Sequence, residues 1–189
     1  MIAIRRARPA DADAIGLVHV TAWRSTYPGI LPDDYLARLS PQRQAAHYHG
    51  AIRAGVGVYV ATASGLDLGP AGGAARIVGF ITGGLARASG AAPRLAEGEV
   101  ETLYVHDDWR DQGLGRRLMR AATAHFAGMG CRSAFVWVLR ENPNRWFYER
   151  LGGKVVAESI IHVGGASVAQ TAYVWAPIEK LAQATSSAP

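Results

Sequence analysis

A chain of 189 residues can bury about 70% of the surface its unfolded form exposes, enough for a substantial core. Hydrophobic content of 49% against 19% charged residues excludes a disordered protein. The net charge of +5 is carried by arginine, with Lys154 and Lys180 the only lysines; it suits an anionic partner, and the scatter of the arginines argues against a nucleic-acid-binding stripe.

Ile2–Arg6 alternates in polarity and predicts a first strand. Arg8-Pro9-Ala10-Asp11 opens a helix running towards Trp23, with Asp11 and Asp13 near its positive end. Tyr27-Pro28-Gly29-Ile30-Leu31-Pro32 breaks that helix, and a second helical region is expected from Asp33 to about Ala54. Val58–Thr62 and Ile77–Gly83 read as paired strands around a Gly/Ala-rich loop, Ser64–Ala75, expected to be mobile. A second flexible stretch, Ala86–Gly98, leads to a fourth strand, Glu99–Val105. After a short polar turn comes a helix in which Leu114, Leu118, Ala121, Ala122 and His125 or Phe126 share a face. Ser133–Leu139 has strand composition. Asn142 is placed to cap the next helix, with Pro143 at its first position and Gly152-Gly153 at its end. Ser159–Val163 and Ala169–Trp175 flank Gly164-Gly165, a tight-turn dipeptide, as a final hairpin. One domain is expected over residues 1–181, with 182–189 a disordered tail.

The chemistry concentrates in Val105–Leu118, V-H-D-D-W-R-D-Q-G-L-G-R-R-L. A strand that turns through glycines into a helix leaves several backbone N–H groups unpaired at the positive end of the helix dipole. Glycines at 113 and 115 let a phosphate approach the main chain, so the turn suits a pyrophosphate. There is no Gly-Lys pair of the kind a P-loop needs, and Leu118 stands where a dinucleotide fingerprint needs its third glycine.

The spacing R-x-x-G-x-G from Arg110 to Gly115, followed downstream by N-P-N-R-W-F-Y-E-R-L-G-G from Asn142 to Gly153, resembles two consecutive motifs of the GNAT superfamily of N-acetyltransferases. The resemblance covers Ile2 to about Trp175 and is closest over Glu99–Gly153. It implies an α/β fold in β-α-α-β-β-β-α-β-α-β-β order, with a mixed, mostly antiparallel central sheet flanked by helices. It also implies acetyl-CoA as co-substrate and direct acetyl transfer to an amine in a ternary complex.

By that resemblance Leu103, Tyr104 and Val105 would bind the pantetheine arm, chiefly through backbone groups of Leu103 and Val105, as an added strand does. Arg110, Asp111, Gln112, Gly113, Leu114, Gly115 and Arg116 would wrap the pyrophosphate, and Arg116, Arg117 or Arg120 would reach the 3′-phosphate. Asn142 would hydrogen-bond the pantetheine arm as well as cap its helix. A free alkylamine has a pKa near ~10, so something must take its proton before it attacks. Glu99 and Glu101 share a face of the fourth strand; in some GNAT enzymes a glutamate eleven residues ahead of the first motif is the base, which lands on Glu99. Both glutamates also fit the plainer role of strand-surface charges. Tyr148, the tyrosine of F-Y-E, matches the general acid that stands beside the CoA sulfur in the family; it would otherwise be a core aromatic with Trp146 and Phe147.

Three features depart from the pattern or stay open. Asp107-Asp108 replaces a proline common in the family and is expected to weaken CoA binding, and Gln170 replaces a glutamate, which weakens the case for a cationic acceptor. The lid segments Trp23–Tyr27 and Ile30–Pro32 line a pocket or join the core. A small amine, an amino acid and a protein N-terminus all remain as acceptors. A non-catalytic acyl-CoA-binding module of the same fold is the second reading. Cys131, the sole cysteine, reads as a small apolar residue, and with no H-E-x-x-H pattern no metal is expected. The N-terminus lacks a signal-peptide core, so a soluble cytoplasmic protein with no membrane or nucleic-acid partner is expected, and a homodimer is compatible with the chain.

Overall fold

A computed structural model describes residues 1–65, 73, 75–86 and 95–186. Most of the two stretches expected to be mobile, Ser64–Ala75 and Ala86–Gly98, lies outside the described residues, as do 187–189 of the expected tail. The elements are β1 (Ile2–Arg6), α1 (Ala12–Thr26), α2 (Asp33–Ala37), α3 (Pro41–Arg53), β2 (Gly57–Ala63), β3 (Arg76–Leu85), β4 (Gly98–Val105), α4 (Leu114–Gly128), β5 (Ala134–Leu139), α5 (Trp146–Arg150), β6 (Lys154–Val163), β7 (Ala166–Trp175) and α6 (Glu179–Ser186). The seven strands form one sheet in the order β1-β2-β3-β4-β5-β7-β6. Every neighbouring pair is antiparallel except β4 and β5, which are parallel. This is the expected α/β architecture with a mixed, mostly antiparallel sheet.

Each face of the sheet has its own core, because the strands bury both sides. On one face Ile15 and Val18 of α1 and Tyr48 of α3 pack on Val58, Val60 and Phe80. On the other, Leu114, Leu118, Met119, Ala122 and Phe126 of α4 cover Ile81, Val100, Val136, Tyr173 and Trp175. The 114, 118, 122 and 126 spacing is the apolar stripe expected of a core-facing helix. Arg5 fastens β1 to the start of α1 through two hydrogen bonds to the Asp11 carboxylate, at 2.7 and 2.8 Å. That ion pair lowers the pKa of Asp11.

Three expectations need correction. The helical region from Asp33 to Ala54 is two helices, because Ser40 accepts a hydrogen bond from the Arg43 N–H at 3.3 Å and Pro41 opens a new helix behind it. Asn142 does not cap α5. Its side-chain oxygen accepts from the Asn144 N–H at 2.8 Å, its carbonyl accepts from Arg145, and the helix starts only at Trp146. Residues 182–186, expected as disordered tail, belong to α6, whose Leu181 and Thr185 are buried against the α4 face. Apolar residues at 178, 181 and 184 supply the face that holds this helix down.

Candidate active site

The site begins with a fault in β4. Thr82 pairs with Thr102 and Gly83 with Val100, so Glu101 is an extra residue, a β-bulge. Beside it, β4 pairs with β5 only through Gly98, Glu99 and Val100. Beyond that point the two strands part, and no strand lies against the β5 side of residues 101–105 among the described residues. A bulge bends and twists its strand, which accounts for the fork. A cavity of about 420 Å³ opens there.

One wall is the turn before α4. Asp111 and Gly113 both adopt left-handed backbone, φ +59° and +73°, either side of Gln112. Such alternation turns successive N–H groups to one side, and a non-glycine residue held in that region marks a constrained turn. The first amide committed inside the helix is Arg117, donating to the Gly113 carbonyl at 3.1 Å, so the N–H groups of Leu114 and Gly115 lie outside the helical ladder. Gly115 is needed for a second reason: a β-carbon there would come within 3.2 Å of the Phe147 ring. The turn is thus an anion cradle with aromatic backing.

The opposite wall is aromatic. Tyr148 is 9% exposed, stacked on Tyr173 with centroids 5.9 Å apart and set edge-on to Trp175. Burial raises its pKa well above that of an ordinary phenol, with Tyr27 adding to the effect. The Tyr27 phenol accepts a hydrogen bond from the Asn142 amide at 3.1 Å, and burial pushes its pKa up to about 12. Both rings therefore stay neutral hydrogen-bond donors at physiological pH.

Of the residues expected at the site, Leu103, Tyr104, Val105, Arg110, Asp111, Gly113, Leu114, Gly115, Arg116, Asn142 and Tyr148 line this cavity. Gln112 does not; its amide donates to the Asp108 carbonyl instead. Nor do Glu99 and Glu101. Glu99 lies in the stretch still paired with β5, while Glu101 is the bulge itself, near the Tyr48 phenol, whose pKa is raised chiefly by burial and further by this carboxylate. Arg110 serves the turn more than the cavity: its guanidinium binds Asp107 at 2.6 Å and donates to the Thr26 hydroxyl at 3.0 Å. The Asp107 charge is thus matched, and its carboxylate also accepts from the Ser25 hydroxyl. Among the arginines considered for a phosphate, Arg117 donates to the Ile2 carbonyl at 2.9 Å and so is turned towards β1.

The sequence reading missed Trp109, Asn144 and Arg150, which also line the cavity. All three lie within the two motif stretches, Val105–Leu118 and Asn142–Gly153, at positions the motif patterns leave variable. Beneath β4 runs a buried polar chain: His19 and Tyr48 share a hydrogen bond of 2.7 Å, Tyr48 bonds Thr102, and Thr102 and Thr82 share one of 2.6 Å. Burial, with the nearby His47 charge, lowers the His19 pKa to about 4, so this histidine is neutral. Cys131 is buried and its thiol pKa is raised, as suits an inert apolar residue. Among the described residues no group of His, Cys, Asp and Glu is arranged to hold a metal, and no helix is long and apolar enough to cross a membrane.

Known proteins share this fold. The Acetyltransferase (GNAT) domain profile matches residues 55–152, from just before β2 to just after α5. An uncharacterized N-acetyltransferase of Bacillus subtilis, YuaI, is 28% identical over 181 residues, 96% of each chain. Among solved structures, yncA of Salmonella typhimurium with its cofactor acetyl-CoA superposes with a TM-score of 0.64 at 20% identity, covering 93% of each chain. The paia N-acetyltransferase of Thermoplasma acidophilum in complex with coenzyme A gives 0.62 at 17%, covering 90% of this chain and 98% of its own. The profile spans more than half of the sequence and the fold agrees throughout: the chain belongs to the GNAT family of acetyltransferases.

Proposed function

We propose that the protein transfers the acetyl group of acetyl-CoA to a primary amine by direct attack in a ternary complex. The observation that carries this reading is the fork between β4 and β5, with an anion cradle at one end and the buried Tyr148 phenol at the other. An extended pantetheine arm fits the unpaired edge of β4 at Leu103–Val105, where it gains the backbone pairing that β5 has given up. The amides of Gly113–Gly115 receive the pyrophosphate, and the acetyl-CoA and coenzyme A present in the yncA and paia structures support acetyl-CoA as the ligand. Asn142 keeps one amide hydrogen beyond the one given to Tyr27, which serves the same arm.

In this reading the amine nitrogen attacks the thioester carbonyl while the β4 carboxylate pair takes its proton directly or through water. Glu99 is the base that the motif spacing favours, and Glu101 stands closer to the fork. The carbon–sulfur bond then breaks and the thiolate leaves. With its pKa raised, Tyr148 is a weak proton donor, so its contribution is a hydrogen bond that stabilises the leaving sulfur before protonation is complete. Thiol release from acetyl-CoA, followed with and without a panel of amines, tests the proposal. Amine-dependent release is expected. Acetyl-CoA binding without release for any amine would favour the non-catalytic acyl-CoA-binding alternative.

A further inference from the structure

The side of the fork away from the cradle is built of different material. Tyr27, Leu31 and Leu36 are buried there, and Trp23, Tyr35, Leu139, Val163 and Val168 pack around them while keeping part of their surface open. These residues come from α1, the segment after it, α2, the end of β5 and the β6–β7 hairpin. Tyr27 belongs both to this cluster and to the cavity wall beside Tyr148, so the cluster continues the site.

Its rings are ordered. Trp23 meets Tyr27 edge-on at 5.1 Å, lies 6.3 Å from Tyr35, and stacks on the neutral His19 at 5.2 Å with an interplanar angle of 25°. Three polar groups bordering the cluster are neutral or already matched. Gln170 shares a face of β7 with Val168, and its amide donates to the Ser159 hydroxyl at 3.0 Å. Arg24 is bound to the carbonyls of Leu36, Ala37 and Leu39 at the end of α2. Asp107 is paired with Arg110. Asp33 and Asp34 stand at the start of α2 and are exposed.

Resting on the acetyltransferase reading, we propose that the acceptor is a primary amine on an uncharged apolar body, best an aromatic one, seated among Trp23, Tyr35 and the β6–β7 hairpin. A flat body gains offset or edge-on contacts with these rings. An ammonium entering the cluster is desolvated, which lowers its pKa and eases loss of the proton to the β4 carboxylates. A second cationic group would find no carboxylate in the cluster to pair with and would meet Arg24 at its border, so polyamines are disfavoured.

Thiol release is measured with 2-phenylethylamine, hexylamine, spermidine and lysine amide, beside a thermal-shift titration with acetyl-CoA. The expected kcat/KM for 2-phenylethylamine exceeds that for spermidine by about 10²-fold, with hexylamine between them. Tyr35→Ala should raise KM for 2-phenylethylamine about 10-fold and leave the acetyl-CoA shift intact. Gln170→Glu, a near-isosteric change, should move preference towards the lysine and polyamine probes by about 10-fold. Equal or better use of spermidine by the unaltered protein overturns the inference, as does inertness of every probe while acetyl-CoA still protects the fold. No acetyl-CoA shift at all overturns the acetyltransferase reading itself, and this inference with it.

Discussion

The two sides of the β4–β5 fork are made in opposite ways. The cradle side comes from one short run, Arg110–Arg116, with Asn142–Tyr148 facing it, and it is built of backbone N–H groups, a left-handed glycine and an arginine that braces the turn. The aromatic side draws on positions 23, 27, 35, 139, 163 and 168, and it has rings and aliphatic chains where the cradle has donors. A phosphate presents the same shape to every enzyme that binds it, so a local motif can serve. An acceptor binds through shape and charge, which only the assembled fold provides. The cradle therefore speaks for the cofactor, and the aromatic cluster for the substrate.

Four perturbations would break or sharpen this contrast, taken from the largest effect down. Tyr148→Phe removes the phenol proposed to hydrogen-bond the leaving sulfur. It should lower kcat by about 10²-fold in a thiol-release assay and leave the acetyl-CoA thermal shift unchanged. An unchanged kcat would take Tyr148 out of the mechanism. Next comes acid. Because His19 has a folded pKa near 4 and a reference value of 6.5, the unfolded chain binds the extra proton between those values. Stability on the α1 side is thus fully present above about pH 6.5 and falls as pH drops towards 4, by about 2 kcal/mol between pH 7 and 5. Denaturant melts across that range check this, and His19→Gln should flatten the slope.

Gly113→Val puts a β-branched residue at φ +73°, costing about 1–2 kcal/mol of stability, and crowds the cradle. Its acetyl-CoA Kd, read by calorimetry, should rise by at least about 10-fold, while the pH slope attributed to His19 stays as it was. The smallest effect belongs to Arg110. If its guanidinium is a brace to Asp107 and Thr26, Arg110→Ala and Asp107→Ala should each cost about 1 kcal/mol and the double variant little more than either. A large loss of acetyl-CoA affinity confined to Arg110→Ala would show instead that it binds phosphate.

Much of the cradle was legible in the sequence, since Gly113, Gly115 and Tyr148 stand at fixed spacing inside contiguous motifs. The seven strand segments along the chain and the tight turn at Gly164-Gly165 could be read from alternation and turn residues, and both glycines indeed take positive φ, +59° and +89°. Other features needed the fold. The bulge at Glu101 changes no residue type and shows only as a shift of register against β3. The role of Arg110 depends on Thr26, far away in the chain, and Asn142 caps the turn ahead of α5, whose first residue is Trp146. The α6 residues looked like a tail because their small apolar face acquires meaning only against α4.

The most direct test of the central claim, that the fork receives acetyl-CoA, is a thermal-shift titration with acetyl-CoA beside CoA, ATP and NAD. At 100 times Kd a specific ligand adds about 2.7 kcal/mol, or roughly 5–11 °C for a domain of this size. The account predicts that shift for acetyl-CoA and CoA, and little for ATP or NAD at the same concentration. Equal shifts for all four, or none for acetyl-CoA, would contradict it.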